Sequence, residues 1–152
     1  MSEGVTQPSV SVVVVNYRGV EDTLTCLRAL RTELDYPAER LQLVCVDNNS
    51  GDGSAERLRD EPGVTFVQAP DNLGFAGGCN LGVQHATGEV LAFLNNDARP
   101  HADWAAAAVE TLRAQPTVGA VASKVLDWDG KLIDFVDGGL TWFGMGYKRF
   151  AG

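Results

Sequence analysis

The chain has 152 residues, 45% of them hydrophobic and 21% charged, a composition that fits one globular domain large enough to bury a core. Twenty acidic against 12 basic side chains give a net charge of −8, which argues against nucleic acid as a partner, because no cationic excess is available to neutralise phosphates. An anionic ligand would instead be met by backbone N–H groups, a helix N-terminus or a bridging cation.

Residues 1–9 are polar, lack the basic and apolar regions of a signal peptide, and are expected to be a flexible lead-in. VSVVVV (10–15) is a β-branched run with no helical period and reads as a strand buried on both faces. Leu24, Leu27, Leu30 and Leu34 then recur at helical spacing, with Asp22 as the expected cap and Pro37 as the stop. LQLVCVD (41–47) is a second strand, followed by the turn-rich NNSGDGS and a short helix capped by Ser54. VTFVQA (64–69) is a third strand, and a helix is expected at about 75–86 despite its glycines. EVLAFLN (89–95) is a fourth, buried strand; residues 101–115 form an alanine-rich helix ended by Pro116. Residues 118–126 read as strand, and Asp129-Gly130 turns the chain into KLIDFV as a hairpin. No apolar run is long enough to span a bilayer. Cys26, Cys45 and Cys79 lie in apolar surroundings and read as reduced core residues of a cytosolic protein. Neither they nor His85 and His101 have zinc spacing.

Alternating strands and helices predict a doubly wound α/β domain over 10–152: a mainly parallel sheet with helices on both faces, plus a C-terminal β-hairpin. Ligands of such sheets bind beyond the carboxyl ends of the strands. Four polar tails converge there. Tyr17, after Asn16, offers either a ring for stacking or a shield for the sheet edge. Asp47 either accepts a ligand N–H or closes an Asx-turn. The glycines of NLGFAGGCNLG (72–82) allow either close approach to a ligand or close helix–sheet packing, while Asn72 and Asn80 have no evident packing role. In LNNDA, Asn95 and Asp97 point one way and Asn96 the other. Asp97 is either a solvated strand end or one ligand of Mg²⁺ or Mn²⁺ completed by substrate phosphates. GDGSAE departs from the GxGxxG dinucleotide fingerprint, with Glu56 where the third glycine is needed, and no GxxxxGK[ST] occurs.

Taken together, VVVVNYRGVED, VDNNSGDGS, DNLGFAGGCNLG and FLNNDA resemble, in that order, family 2 glycosyltransferases of the GT-A fold, and most closely their rhamnosyltransferase-like branch. The resemblance implies a UDP- or dTDP-sugar donor, a glycan or lipid-linked acceptor, and transfer assisted by Mg²⁺ or Mn²⁺. It implies that Tyr17 and the backbone around Asn16 face the base, and that Asp47 accepts its N3–H. Asn49, Asn72, Gly74, Phe75, Gly78 and Asn80 would line the nucleotide and diphosphate. Asn95 and Asn96 would contact the nucleotide, and Asp97 would hold the cation. The family's downstream acidic segment, the usual source of the general base, has no counterpart between Ala98 and Gly152, and Asp127, Asp129, Asp134 and Asp137 lack its context. The expectation is a donor-binding part, incomplete on its acceptor side, with a homodimer or partner chain as a source of that side. It would work in the cytoplasm or peripherally at the inner membrane face; the other reading is a nucleotide-binding module or fragment that does not transfer.

Overall fold

The β-branched run of the N-terminal region forms β1 (Val10–Asn16), buried along its whole length. It is the second-to-last strand of a four-stranded parallel sheet of order β3-β2-β1-β4, with β2 (Leu41–Asp47), β3 (Val64–Gln68) and β4 (Val90–Asn95). The computed structural model describes residues 7–135, 138–140 and 146–148. Residues 1–6 of the expected lead-in and Asp137 lie outside them, whereas Pro8 and Ser9 are tied down: the Pro8 carbonyl accepts from the Tyr36 hydroxyl (2.6 Å), and Ser9 N–H donates to Glu89 (3.0 Å).

Alternation along the strands builds two cores. Val10, Val12 and Val14 pack with Leu43, Cys45 and residues of α1 (Val20–Thr32), α2 (Ser54–Arg59) and α4 (Trp104–Ala114). On the opposite face, Val13, Val15, Val44, Val46 and Val67 pack with Cys79 of α3 (Gly74–Val83). Helices thus cover both faces, and the expected doubly wound arrangement is the observed one. α1 starts earlier than expected: Gly19, not Asp22, occupies the N-cap, and Asp22 sits with Glu21 in the first turn, where acidic side chains complement the helix dipole. α1 also ends at Thr32, well before Pro37. At α2 it is Asp52 that accepts the Ser54 N–H and hydroxyl, so the cap is supplied two residues ahead of Ser54.

Two further expectations change. β4 is an edge strand, with Leu91 and Phe93 44% and 48% exposed. Its Val90, Ala92 and Leu94 join the first core, but α3 lies over β1 and β2, so the other face of β4 is uncovered by any helix among the described residues. The run 118–126 is strand only at β5 (Val125–Leu126), where it finds β6 (Ile133–Phe135) as a partner. Apolar pattern supplies the tendency to extend; a ladder also requires a neighbour. The hairpin turn is where expected, organised by the Asp127 carboxylate, which accepts from the N–H groups of Lys131 and Leu132 (2.8 and 3.1 Å), with Gly130 at φ 69°. A second short ladder joins β7 (Gly138–Leu140) to β8 (Gly146–Lys148). The chain divides into two compact units, 1–109 and 110–152.

The strand order places the site. β2 and β3 extend from one side of β1 and β4 from the other, so the chain reverses direction across the sheet at β1. The crevice at such a switch point lies beyond the carboxyl ends of β1 and β4. Those ends carry Asn16-Tyr17 and Asn95-Asn96-Asp97.

The glycines of α3 let it lie close to the sheet. A Cβ on Gly78 would stand 2.8 Å from a methyl of Val15, and one on Gly82 would collide with Val13. Gly78→Ala and Gly82→Ala should each destabilise by about 1–3 kcal/mol through overpacking, against the gain in helix propensity. Urea denaturation checks this, and an unchanged midpoint for both would refute close packing of α3.

Candidate functional site

The parallel register sets Asn16 beside Asp47, and Asp47 beside Gln68. All three side chains meet at the carboxyl ends of their strands. Asp47 is fully buried, and its carboxylate is held from inside the protein. Oδ1 accepts from Asn16 Nδ2 (2.7 Å) and the Ser50 hydroxyl (2.6 Å); Oδ2 accepts from the Ser50 N–H (3.1 Å) and Gln68 Nε2 (2.9 Å). Burial pushes the carboxyl pKa up, but the donors from Ser50, Asn16 and Gln68 outweigh it and hold it below the usual value. With four donors on two oxygens, the acceptor capacity of the carboxylate is filled. A further donor, such as a base N–H, would have to displace one of these partners to reach Asp47.

The buried Asn16 passes the network on. Its Oδ1 accepts from the Thr23 hydroxyl of α1 (2.7 Å), and Thr23 Oγ1 in turn accepts from Asn96 Nδ2 (3.1 Å). Asn96 is thus turned inward against α1. Asn95 and Asp97 remain exposed on either side of it. The Asn95 carbonyl accepts from the Ala98 N–H (3.1 Å), closing the turn that carries Asp97. Among the described residues, no buried polar side-chain atom is without a partner.

A second cluster shapes the entry to α3. Asn48 Nδ2 donates to Asn72 Oδ1 (2.9 Å) and the Gly74 carbonyl (3.2 Å), while its Oδ1 accepts the Leu73 N–H (3.0 Å). Asn72 Oδ1 also accepts the Gly74 N–H (2.9 Å), which starts the helix at a residue with φ 69°. Asn72 and Gly74 are thus held together at the entry to α3. Phe75 is 57% exposed beside them. Gly78 is buried against Val15, beneath the helix. Asn80 is exposed on α3, about 9 Å along the axis from the helix start at 1.5 Å per residue.

Tyr17 is exposed at the mouth, with the Arg18 guanidinium 5.2 Å from its ring centre. Arg18 has φ 57° and Asn49 φ 58°, the two non-glycine residues in the left-handed region among those described. Both follow a strand of the candidate site. Such conformations persist only where surrounding contacts impose them, and Ser50 does so here by accepting the Arg18 N–H at its hydroxyl (3.1 Å).

Residues 11–134 match the profile of Glycosyl transferase family 2. The chain belongs to that family. It is 34% identical over 116 residues to glycosyltransferase AglE of Haloferax volcanii, covering 70% of this chain and 36% of AglE. Among solved structures, it superposes on the mannosyltransferase PcManGT of Pyrobaculum calidifontis, in complex with GDP-Man and Mn²⁺, with a TM-score of 0.68 and 34% identity, over 76% of this chain and 35% of that one. It also shares its fold with S. aureus TarS 1-349 in complex with UDP-GlcNAc, at a TM-score of 0.60 and 24% identity, over 70% and 31% of the two chains. The chain therefore spans about a third of these relatives. Family membership and the GT-A-like fold agree with the expectation from sequence.

For a family 2 chain, a divalent cation must fit the donor set present. Among the described residues, no group of three His, Cys, Asp or Glu side chains could hold a metal. Asp97 and Asn95 supply one carboxylate and one amide oxygen, both hard donors. Such a pair suits Mg²⁺ or Mn²⁺ bound through one carboxylate and completed by phosphate and water. Sequence reasoning missed Thr23, Asn48, Ser50 and Gln68, which hold the expected site residues in place. Their only signal was polarity at strand and helix ends, which solvated turns share.

The sign of the Asp47 shift sets a pH dependence. Its folded pKa is lowered, so its contribution is complete above the unfolded carboxylate value and is lost as pH falls through the folded one. Asp47→Asn should lose about 2–4 kcal/mol at pH 7, since an amide faces donors where an oxygen stood. That deficit should shrink below about pH 4. Urea denaturation across pH measures both, and a pH-independent deficit would contradict the assignment.

Proposed function

We propose that this chain forms the donor-binding part of a glycosyltransferase that moves a sugar from a nucleoside diphosphate donor to a hydroxyl acceptor, with a divalent cation at Asp97. One observation carries the reading within the family. The two strand ends at the switch point offer an exposed aromatic ring at Tyr17 and an exposed carboxylate at Asp97, on a floor already saturated with hydrogen bonds.

In this reading the base stacks on Tyr17, and Asn49, Phe75 and the N-terminus of α3 border the donor. α3 has no acidic residue in its first turn to repel a phosphate. Transfer breaks the bond between the anomeric carbon and the diphosphate oxygen while the acceptor oxygen bonds to that carbon. Negative charge grows on the leaving diphosphate, and a bound cation would offset it as a Lewis acid. Asp97 and Asn95 hold that end of the donor, while the buried network keeps their turn in place. The acceptor hydroxyl loses its proton to a base, which this reading places in the larger share of the relatives' length that the chain does not span.

The pyrimidine preference rested on Asp47 accepting a base N3–H. With that carboxylate saturated, a guanine donor is an equal candidate, and the relative bound to GDP-Man supports including it. The sugar is proposed as a hexose or rhamnose. No helix of the described residues is long and apolar enough to cross a membrane, and three buried free thiols suit a reducing compartment. The thiols support action in the cytoplasm or at the inner membrane face.

Calorimetry with UDP, dTDP, GDP and NAD, each with Mn²⁺ or a chelator, tests the proposal. One nucleoside diphosphate should bind in a metal-dependent way, and Asp97→Ala should remove that metal-dependent part. Equal binding in chelator would remove the cation from the reading, and preference for NAD would overturn it.

A further inference from the structure

A row of side-chain donors runs in one direction through the domain. Asn96 Nδ2 donates to Thr23 Oγ1 (3.1 Å), the Thr23 hydroxyl donates to Asn16 Oδ1 (2.7 Å), and Asn16 Nδ2 donates to Asp47 Oδ1 (2.7 Å). Asn16, Thr23 and Asp47 are fully buried, and every donor points toward the carboxylate. Bonds aligned toward a buried charge polarise one another and strengthen the row. Its open end is Asn96, the residue before Asp97, in a turn otherwise closed by the Ala98 N–H to the Asn95 carbonyl (3.1 Å). Thr23 links α1 to the turn after β4 through a side chain, beside the Cys26 thiol of the same helix, which donates to the Asn95 carbonyl (3.6 Å). The single hydroxyl proton of Thr23 is shared between Asn16 Oδ1 and the Gly19 carbonyl (2.9 Å), so the start of α1 belongs to the same node.

A second observation points to the same contact. A Cβ on Gly19 would lie 3.0 Å from Asn96 Nδ2. Gly19 has φ −132°, which any residue can adopt, so its backbone conformation does not require glycine. What a side chain there would disturb is the seat of the Asn96 amide.

We infer that Thr23 is a positioning residue for the donor diphosphate: through Asn96 it anchors the turn bearing Asp97 to the Asp47 floor, and so fixes where a bound cation sits relative to the base. The inference rests on the donor site proposed above and adds a residue outside the four family motifs' ligand contacts. Thr23 touches neither donor nor cation. A polar partner behind a ligating group orients it, and its loss typically costs about 10–100-fold in metal affinity.

The test uses Thr23→Val, which removes the hydroxyl at near-constant shape, Thr23→Ser, which keeps it, and Gly19→Ala, which crowds Asn96 without deleting a hydrogen bond. Calorimetry of UDP and GDP with Mn²⁺ and with chelator separates the metal-dependent gain in affinity from metal-free binding. Amide exchange at Ala98 in metal-free protein reports the turn itself. Thr23→Val and Gly19→Ala should keep metal-free affinity, lose about tenfold or more of the manganese gain, and exchange faster at Ala98; Thr23→Ser should match the wild type. Retention of the whole gain in both altered proteins overturns the inference, as does equal loss of metal-free and manganese-dependent binding. If Thr23→Val does not fold, Gly19→Ala and Thr23→Ser decide. If the wild type shows no manganese gain, the cation drops out of the donor reading, a separate failure. Ala98 exchange then decides the anchoring: faster in Thr23→Val and Gly19→Ala supports it, and unchanged overturns it.

Discussion

A carboxylate can be buried at the end of a sheet only if donors replace the water it gives up. Asp47 meets this condition with donors from three places: Asn16 on the neighbouring strand, Gln68 on the next one, and Ser50 in its own turn. The parallel register makes this possible, because it sets Asn16, Asp47 and Gln68 side by side. A slip of one residue would turn each partner to the other face of the sheet. The carboxyl ends of three strands are therefore locked together by one buried charge, and the loops that leave them start from fixed points.

From this constraint follows a division of labour among the polar residues. Those nearest the core serve the scaffold: Asn16 and Asn96 join β1 and β4 through Thr23, and Asn48 with Asn72 shapes the entry to α3. Others in the same motifs are exposed: Tyr17, Asn49, Asn95 and Asp97, with the apolar Phe75. The same short motifs contain both kinds. NND is the plainest case, since its middle residue faces inward and its outer two do not.

Legibility of the sequence followed the range of the physics involved. The valine run of β1 and the leucine spacing of α1 act locally; β1 formed where that patterning put it, and α1 formed over Leu24, Leu27 and Leu30 while Leu34 lies past its end. α3 carries a weaker signal, because its glycines disfavour helix locally and are explained only by the valines of β1 and β2 beneath them. β4 shows the opposite failure. VLAFL is apolar throughout and reads as buried, yet its place at the sheet edge leaves Leu91 and Phe93 open. Edge or centre is a property of strand order, and strand order is not written in any one strand.

The sequence by itself determined the alternating α/β plan and the resemblance to family 2 glycosyltransferases, which the family match bears out at the level of the family. Each of these depends on periodicity or on short motifs, which are local. Only the tertiary structure decided which polar residues of those motifs are engaged from inside the protein. Asp47 and Asn96 look like ligand contacts in the linear chain, but Ser50, Gln68 and Thr23 engage them once strands and helix come together. A buried polar group must take its partners from whatever the fold brings near it, and those partners lie up to 73 residues away in the chain.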